Sequence, residues 1–222
     1  MKRSDSRILT SHTGSLPRSE TLTDLLLRVE RDKDVDAPVL NQAVEDSMDY
    51  VVERQIESGI TVGNDGEQPR VGFSTYVPQR MSGFGGKIRL EDGLSDLKKF
   101  PKYADMYHRR FSNTIDEEMF IFSAPQAVGE LCYDESLSDV KRELDAFSGA
   151  LRRSSACGNF EETFITAVSP GSVTTTMLRA EGNPYYSSDR EYVMAVAQQM
   201  KKEYEYIISR GHILQLDAPD LA

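Results

Sequence analysis

Two hydrophobic rhythms alternate along this chain. Short aliphatic or β-branched runs occur at Ile8-Leu9-Thr10, Ile60-Thr61-Val62, residues 163–168 and residues 212–217. Between them, apolar residues return at the three-to-four spacing of a helix with one buried face. The first such face is Leu22, Leu25, Leu26 and Val29, with Ser19 as its expected cap. The second follows Pro38 and carries Leu40, Val44, Met48, Val51, Val52 and Ile56, closed by Gly59. The third carries Leu137, Val140, Leu144, Phe147 and Leu151, opening at a Ser136-x-x-Asp139 capping pattern and ending near Gly158. The fourth carries Val193, Val196, Ala197, Met200, Tyr204, Ile207 and Ile208, opened by Ser188-Asp189-Arg190-Glu191 and closed by Gly211.

Strands joined by helices predict an α/β fold with a parallel sheet, because parallel neighbours require a crossover. Four strand–helix units are half of a (β/α)8 barrel of the TIM type, which needs about 250 residues. The chain has 222 and is read as one domain over 1–222. Its last strand has no following helix, so either a longer protein or a partner is expected to cover the open edge. Residues 71–103 break the rhythm with five glycines and two prolines. They read as an excursion over the mouth of the barrel, with a small hairpin near Lys87–Leu90 and a short helix around Tyr103–Phe111 that holds His108. Residues 127–133 read as a strand outside the main repeat.

Charge narrows the function classes. The chain carries 26 Lys and Arg against 36 Asp and Glu, a formal net charge of −10. Such a balance gives no general attraction to nucleic acid or to an anionic membrane. Nothing approaches 18 consecutive apolar residues, so no membrane span is expected. Met1-Lys2-Arg3-Ser4-Asp5 leads into a strand without an apolar signal core, and a soluble cytoplasmic protein is expected. The two cysteines, Cys132 and Cys157, form no CxxC pair and have no His at ligand spacing. They read as free thiols, and no metal site is read in this chain.

The candidate chemistry sits just past the strands. Ser11-His12-Thr13-Gly14-Ser15-Leu16-Pro17-Arg18 follows the first run, with Gly14 permitting a positive φ and Pro17 stiffening the exit. Asp65-Gly66-Glu67-Gln68-Pro69-Arg70 follows the second, where a carboxylate can hold an ammonium group and an Arg can orient it or clamp an anion. Ser169-Pro170-Gly171-Ser172 follows the third, and Asp217-Ala218-Pro219-Asp220 ends the fourth. Strand carboxyl ends are where α/β folds keep their ligands.

These four motifs, in this order, resemble the catalytic barrel of cobalamin-independent methionine synthase. The nearest likeness is to short single-barrel members such as epoxyalkane:coenzyme M transferase. The resemblance covers nearly the whole chain and implies a zinc-dependent transferase, in which a metal-bound thiolate attacks an electrophilic methyl or alkyl carbon. It implies that Gly14 and Ser15 contact the polar end of a small-molecule thiol, and that Glu67 and Asp217 hold an amino group. His12, Asp65 and Arg70 are implied neighbours. The family's zinc ligands, a His-x-Cys pair and a later Cys, belong to the second half of the barrel. Cys132 and Cys157 do not match them. Ala218 stands where methionine synthases usually carry an acid. The chain thus reads as the substrate-cradling half of such an enzyme, completed by a C-terminal half or by self-association. Two other readings compete: a non-catalytic half-barrel that needs a partner, and a uroporphyrinogen decarboxylase-like enzyme, which would use Arg near the first strand, with Arg18 its one support.

Overall fold

The computed structural model describes residues 1–31, 33–70, 72–89, 99–103, 105–106, 123–154 and 158–221. The expected excursion and the helix around Tyr103–Phe111 therefore fall only partly within the described residues, and His108 and Cys157 fall outside them.

Helix α1 spans Glu20–Glu30 and buries Leu22, Leu25 and Leu26; Ser19 Oγ accepts the Leu22 amide at 3.2 Å. Helix α2 spans Ala37–Glu57, one residue ahead of Pro38, because Asp36 caps it and Pro tolerates the first turn. Its core face includes Met48, Val51 and Val52, and two polar residues share it, Ser47 and Gln55. Strand β1 is only Val62–Gly63. It pairs in parallel with Ser11 on one side and with β4, Glu162–Val168, on the other. β4 pairs in parallel with β5, Ile213–Asp217, from Phe164↔Ile213 to Val168↔Asp217. The parallel order is thus the Ser11 segment, β1, β4, β5. The pairing is parallel as the alternation predicts, but the expected strand at Ile8-Leu9-Thr10 is reduced to a single bridge at Ser11, with Ile8 82% exposed. Among the described residues β5 is paired on one side only.

The excursion differs from its expected form. Helix α3 spans Phe73–Arg80 despite Pro78, which removes one amide bond in an already short helix. Strand β2, Met81–Arg89, takes in the start of the expected Lys87–Leu90 hairpin, whose Leu90 lies outside the described residues. It pairs antiparallel with β3, Ser123–Tyr133, across the intervening chain, with register shifts at Ser82/Phe84 and Gly85/Ile88. Gly83, at φ +97°, sits where an added Cβ would meet the Glu130 carbonyl oxygen at 2.4 Å. β3 is the expected strand outside the repeat, four residues longer at its start.

Helix α4 spans Ser138–Arg153 and stops well before Gly158. The expected capping pattern is replaced. Asp134 accepts from the amides of Ser136 at 2.9 Å and Ser138 at 3.2 Å, and Leu137 enters the helix at φ +54°. Helix α5, Pro170–Thr176, is capped by Ser169. Helix α6, Asp189–Ser209, is capped by Ser188 and buries Tyr192, Val196, Met200, Glu203 and Ile207. The stripe is rotated from the expected one, leaving Ile208 57% exposed while Glu203 is fully buried. No helix among the described residues is long and apolar enough to cross a membrane.

Two apolar clusters meet along β4. One joins α3, the β2–β3 ribbon, α5 and α6 through Tyr76, Met81, Leu131, Met177 and Tyr192. The other packs α2 and α4 on the sheet through Met48, Val52, Leu144, Phe147 and Ile165.

Candidate functional site

Parallel order places the loop after Ser11 beside the loop after β1, and the two are laced together. Leu16 N donates to Gly66 O at 3.0 Å, and Gln68 Nε2 donates to Leu16 O at 2.9 Å. Asn64 Nδ2 donates to His12 O at 2.7 Å while Asn64 Oδ1 accepts the Gly66 amide at 2.7 Å. The Arg18 guanidinium donates to three backbone carbonyls of the second loop, those of Glu67, Gln68 and Arg70. From behind, Ser47 Oγ of α2 donates to Gln68 Oε1 at 2.6 Å.

Glu67 is the product of this lacing. Its φ is +55°, a left-handed conformation that a non-glycine residue adopts only at a cost of about 1–3 kcal/mol. Gly66 before it is also left-handed, at +61°. Ser15 Oγ donates to Glu67 Oε2, and Thr166 Oγ1 of β4 donates to Oε1 at 3.3 Å. The Glu67 amide donates to Asp65 Oδ1 at 3.0 Å. A nearly buried carboxylate with a hydroxyl on each oxygen keeps spare acceptor capacity for a cationic group.

Behind Glu67 lies a buried ion network. Glu143 of α4 faces Arg70 and Arg80, and Arg80 also reaches Glu203 of α6 at 3.1 Å. Tyr133 OH donates to Glu203, and Tyr76 OH lies 3.4 Å from it. The Tyr76 ring lies between the two guanidinium groups, 4.7 Å from Arg70 and 4.8 Å from Arg80. Burial alone would raise the Glu143 carboxyl, but Arg70 and Arg80 overcome it and hold the group down at about 2. Burial pushes Asp65 up to about 7, with Glu143 adding to the shift.

The structure brings Ser15, Asp65, Glu67 and Arg70 into one connected cluster and places His12 and Gly14 on its rim. Gly14 has φ +86°, as the turn requires. His12 contributes its carbonyl, and its Nε2 is buried without a hydrogen-bond partner. Arg70 is engaged inward, with Nη1 donating to Thr166 O at 2.8 Å. Asp217 stands apart, at the same end of the sheet and in register with Val168. Its Oδ1 accepts from Gln215 Nε2 at 2.9 Å, and among the described residues no hydrogen bond joins it to Glu67. Sequence reasoning missed Thr166, Gln68, Glu143 and Arg80. Thr166 had a visible signal, a hydroxyl two residues from the end of a strand otherwise apolar at its centre. Cys132 is exposed, on β3. Among the described residues no group of three or more His, Cys, Asp or Glu side chains is placed to hold a metal ion.

No protein-family model matches the chain, and no curated protein does. Solved structures do. A B12-independent methionine synthase from a Shewanella species, in complex with selenomethionine, aligns with TM-score 0.61 and 18% identity over 95% of this chain and 51% of that one. A putative vitamin-B12 independent methionine synthase from Listeria monocytogenes aligns with TM-score 0.57 and 17% identity over 95% of this chain and 53% of that one. The chain therefore shares their fold and spans about half their length.

Proposed function

We propose that this chain is the substrate-cradling half of a thiol-activating methyl or alkyl transferase of the cobalamin-independent methionine synthase type. The observation that carries the reading is Glu67. A carboxylate is held in a left-handed turn at the carboxyl end of the sheet, with Ser15 and Thr166 each bound to one oxygen. A fold shared with a methionine synthase solved with selenomethionine supports an amino-acid thiol, or its methylated product, as the ligand.

In this reading the ammonium group of the substrate sits against Glu67, a charge-assisted contact in a site shielded from water. Asp217 supplies a second carboxylate from the β5 end. The backbone amides around Gly14 and Ser15 address the carboxylate end, while the Ser15 hydroxyl stays on Glu67. Fixing both ends of the substrate orients its sulfur for attack and lowers the entropic part of the barrier. The residues named here act on the polar end of the substrate. Zinc and its ligands, together with the methyl or alkyl donor, belong to the other half of a complete (β/α)8 barrel. The free side of β5 is where that half, or a second copy of this chain, would dock.

Two other readings compete with this one. Arg18, the one support for a decarboxylase, spends its guanidinium on three loop carbonyls. A non-catalytic half-barrel draws support from β5, which among the described residues is paired on one side. Calorimetric titration with homocysteine, methionine and coenzyme M separates the readings. On the transferase reading Glu67→Gln weakens the two amino acids by about tenfold or more while leaving coenzyme M little changed. Equal losses for all three ligands would remove the amino-group assignment, and no binding by the wild type would leave the scaffold reading.

A further inference from the structure

We infer that Asp65 is a neutral carboxylic acid in the folded protein at mildly acidic pH, donating its proton to Glu143, and that it is thereby the positioning residue for the left-handed turn of Glu67.

Asp65 has no exposed surface and Glu143 almost none. Asp65 Oδ1 is occupied by the Glu67 amide at 3.0 Å. Its other oxygen, Oδ2, is buried with no donor, and so is Glu143 Oε1. Arg70 Nη2 approaches Glu143 Oε1 to 2.5 Å, but off the line of a directed hydrogen bond. A proton on Asp65 Oδ2 satisfies this buried oxygen, which otherwise has no donor, and gives it a donor toward the neighbouring Glu143 carboxylate.

Which carboxyl keeps the proton follows from the neighbours. Glu143 faces Arg70 from the β1 loop and Arg80 from α3, and remains ionised. Asp65 is pushed up to about 7 first by burial and then by Glu143, with Arg70 and the Glu67 amide pulling the other way. Arg18 faces it from the first loop, and Glu203 from α6 closes the far side of the network through Arg80. With Asp65 neutral, the charges of Arg70, Arg80, Glu143 and Glu203 cancel. With Asp65 ionised, an uncompensated negative charge is buried next to Glu143.

The consequence reaches the candidate site through one bond. Asp65 Oδ1 holds the amide of a residue whose backbone is strained, so repulsion between Asp65 and Glu143 acts directly on the turn that aims the Glu67 carboxylate. This inference concerns protonation within the fold and stands whether or not the substrate assignment above is right.

The sign of the pH dependence is fixed. The folded state keeps a proton that an unfolded Asp releases near 3.9, so Asp65 contributes stability that is complete below that value and is lost as pH rises toward about 7. In that window the unfolding constant rises through this one group by up to about tenfold per pH unit.

Carbon-13 NMR of the full chain labelled at aspartate tests it directly. One carboxyl carbon is expected to titrate with a midpoint near 7, and Asp65→Asn, which keeps an acceptor for the Glu67 amide and a donor for Glu143, should lack it. In urea melts Asp65→Asn should fold and lose one proton's worth of pH slope between about 4 and 7, whereas Asp65→Ala should be less stable at every pH. If every aspartate carboxyl in the wild type is ionised by pH 5, the inference is overturned, whatever the variants do. An Asp65→Asn protein with the wild-type slope would overturn it as well.

Discussion

The side chain of Gln55 in α2 pairs with the backbone of Asn64 as a neighbouring strand would. Gln55 Nε2 donates to Asn64 O at 2.8 Å, and Asn64 N donates to Gln55 Oε1 at 3.1 Å. β1 is two residues long and ends just before Asn64. The amide therefore takes over where sheet pairing stops, and it sets the height at which the Asp65–Arg70 loop leaves the sheet. Gln55→Leu keeps the volume but leaves two buried backbone groups without partners. At about 1–3 kcal/mol for each group, the loss should be about 2–6 kcal/mol, read as a fall in the urea midpoint. Gln55→Glu, which retains the acceptor, should lose less than Leu at neutral pH.

Arg80 stands between two buried carboxylates, Glu143 and Glu203. Removing it strands Glu203 and leaves Glu143 with Arg70 alone, and breaking a buried pair in this way costs about 3–5 kcal/mol. Arg80→Met should therefore destabilise the protein more than any exposed ion-pair variant, such as Arg153→Ala opposite Asp49. The double change Arg80→Met, Glu203→Gln should recover part of the loss, since it removes the stranded charge. A double-mutant cycle in urea gives the coupling.

Much of this arrangement was legible in the chain. Three of the four hydrophobic runs with polar ends mark parallel strands, while Ile8-Leu9-Thr10 forms none and leaves Ile8 82% exposed. Apolar spacing marks α1, α2, α4 and α6, because each repeats one simple burial pattern. The polar loops after Ser11 and after β1 stand out as candidate chemistry in the sequence alone, and strand order is what brings Ser15 to Glu67. What stayed hidden depends on partners far along the chain. Glu203 looks like one more solvated acid on α6 until Arg80, Tyr76 and Tyr133 surround it. α3 was masked by Pro78 and the glycines around it, since local rules count these as breakers even where packing of Tyr76 and Val77 outweighs them. The start of α4 misled for a similar reason. Asp134 does the capping from two residues upstream of the motif, through a turn that spacing alone does not reveal. The pairing of β2 with β3 joins segments that no local signal connects.

Glu67 carries backbone strain that its own side chain does not relieve. At φ +55° any residue with a Cβ is penalised, and glycine is not. Glu67→Ala and Glu67→Gly both remove the contacts to Ser15 and Thr166, so the difference between them isolates the strain. Glu67→Gly should be the more stable of the two by about 1 kcal/mol, measured by urea unfolding. A glycine that stabilises relative to alanine while binding neither amino acid would show a carboxylate retained at this position against the preference of the fold.

His212 gives a pH dependence of the opposite sign to Asp65. It is largely buried at the start of β5, its Nδ1 is 2.7 Å from Thr163 Oγ1, and its ring lies 5.4 Å from that of Phe147. Burial lowers its pKa, and the charge of Arg210 lowers it further. An unfolded His takes up a proton near 6.5, while the folded one resists it. Its contribution is therefore complete above about 6.5 and is lost as pH falls below that value. Asp65 gains over the same range, so the wild-type profile alone mixes the two. His212→Gln keeps a polar partner for Thr163 and cannot titrate. The difference in urea midpoint between wild type and His212→Gln, measured at pH 7.5 and again at pH 5.5, isolates the imidazole. The wild type should lose ground to the variant on going to the lower pH, and a difference that stays constant would place the histidine outside the titrating set.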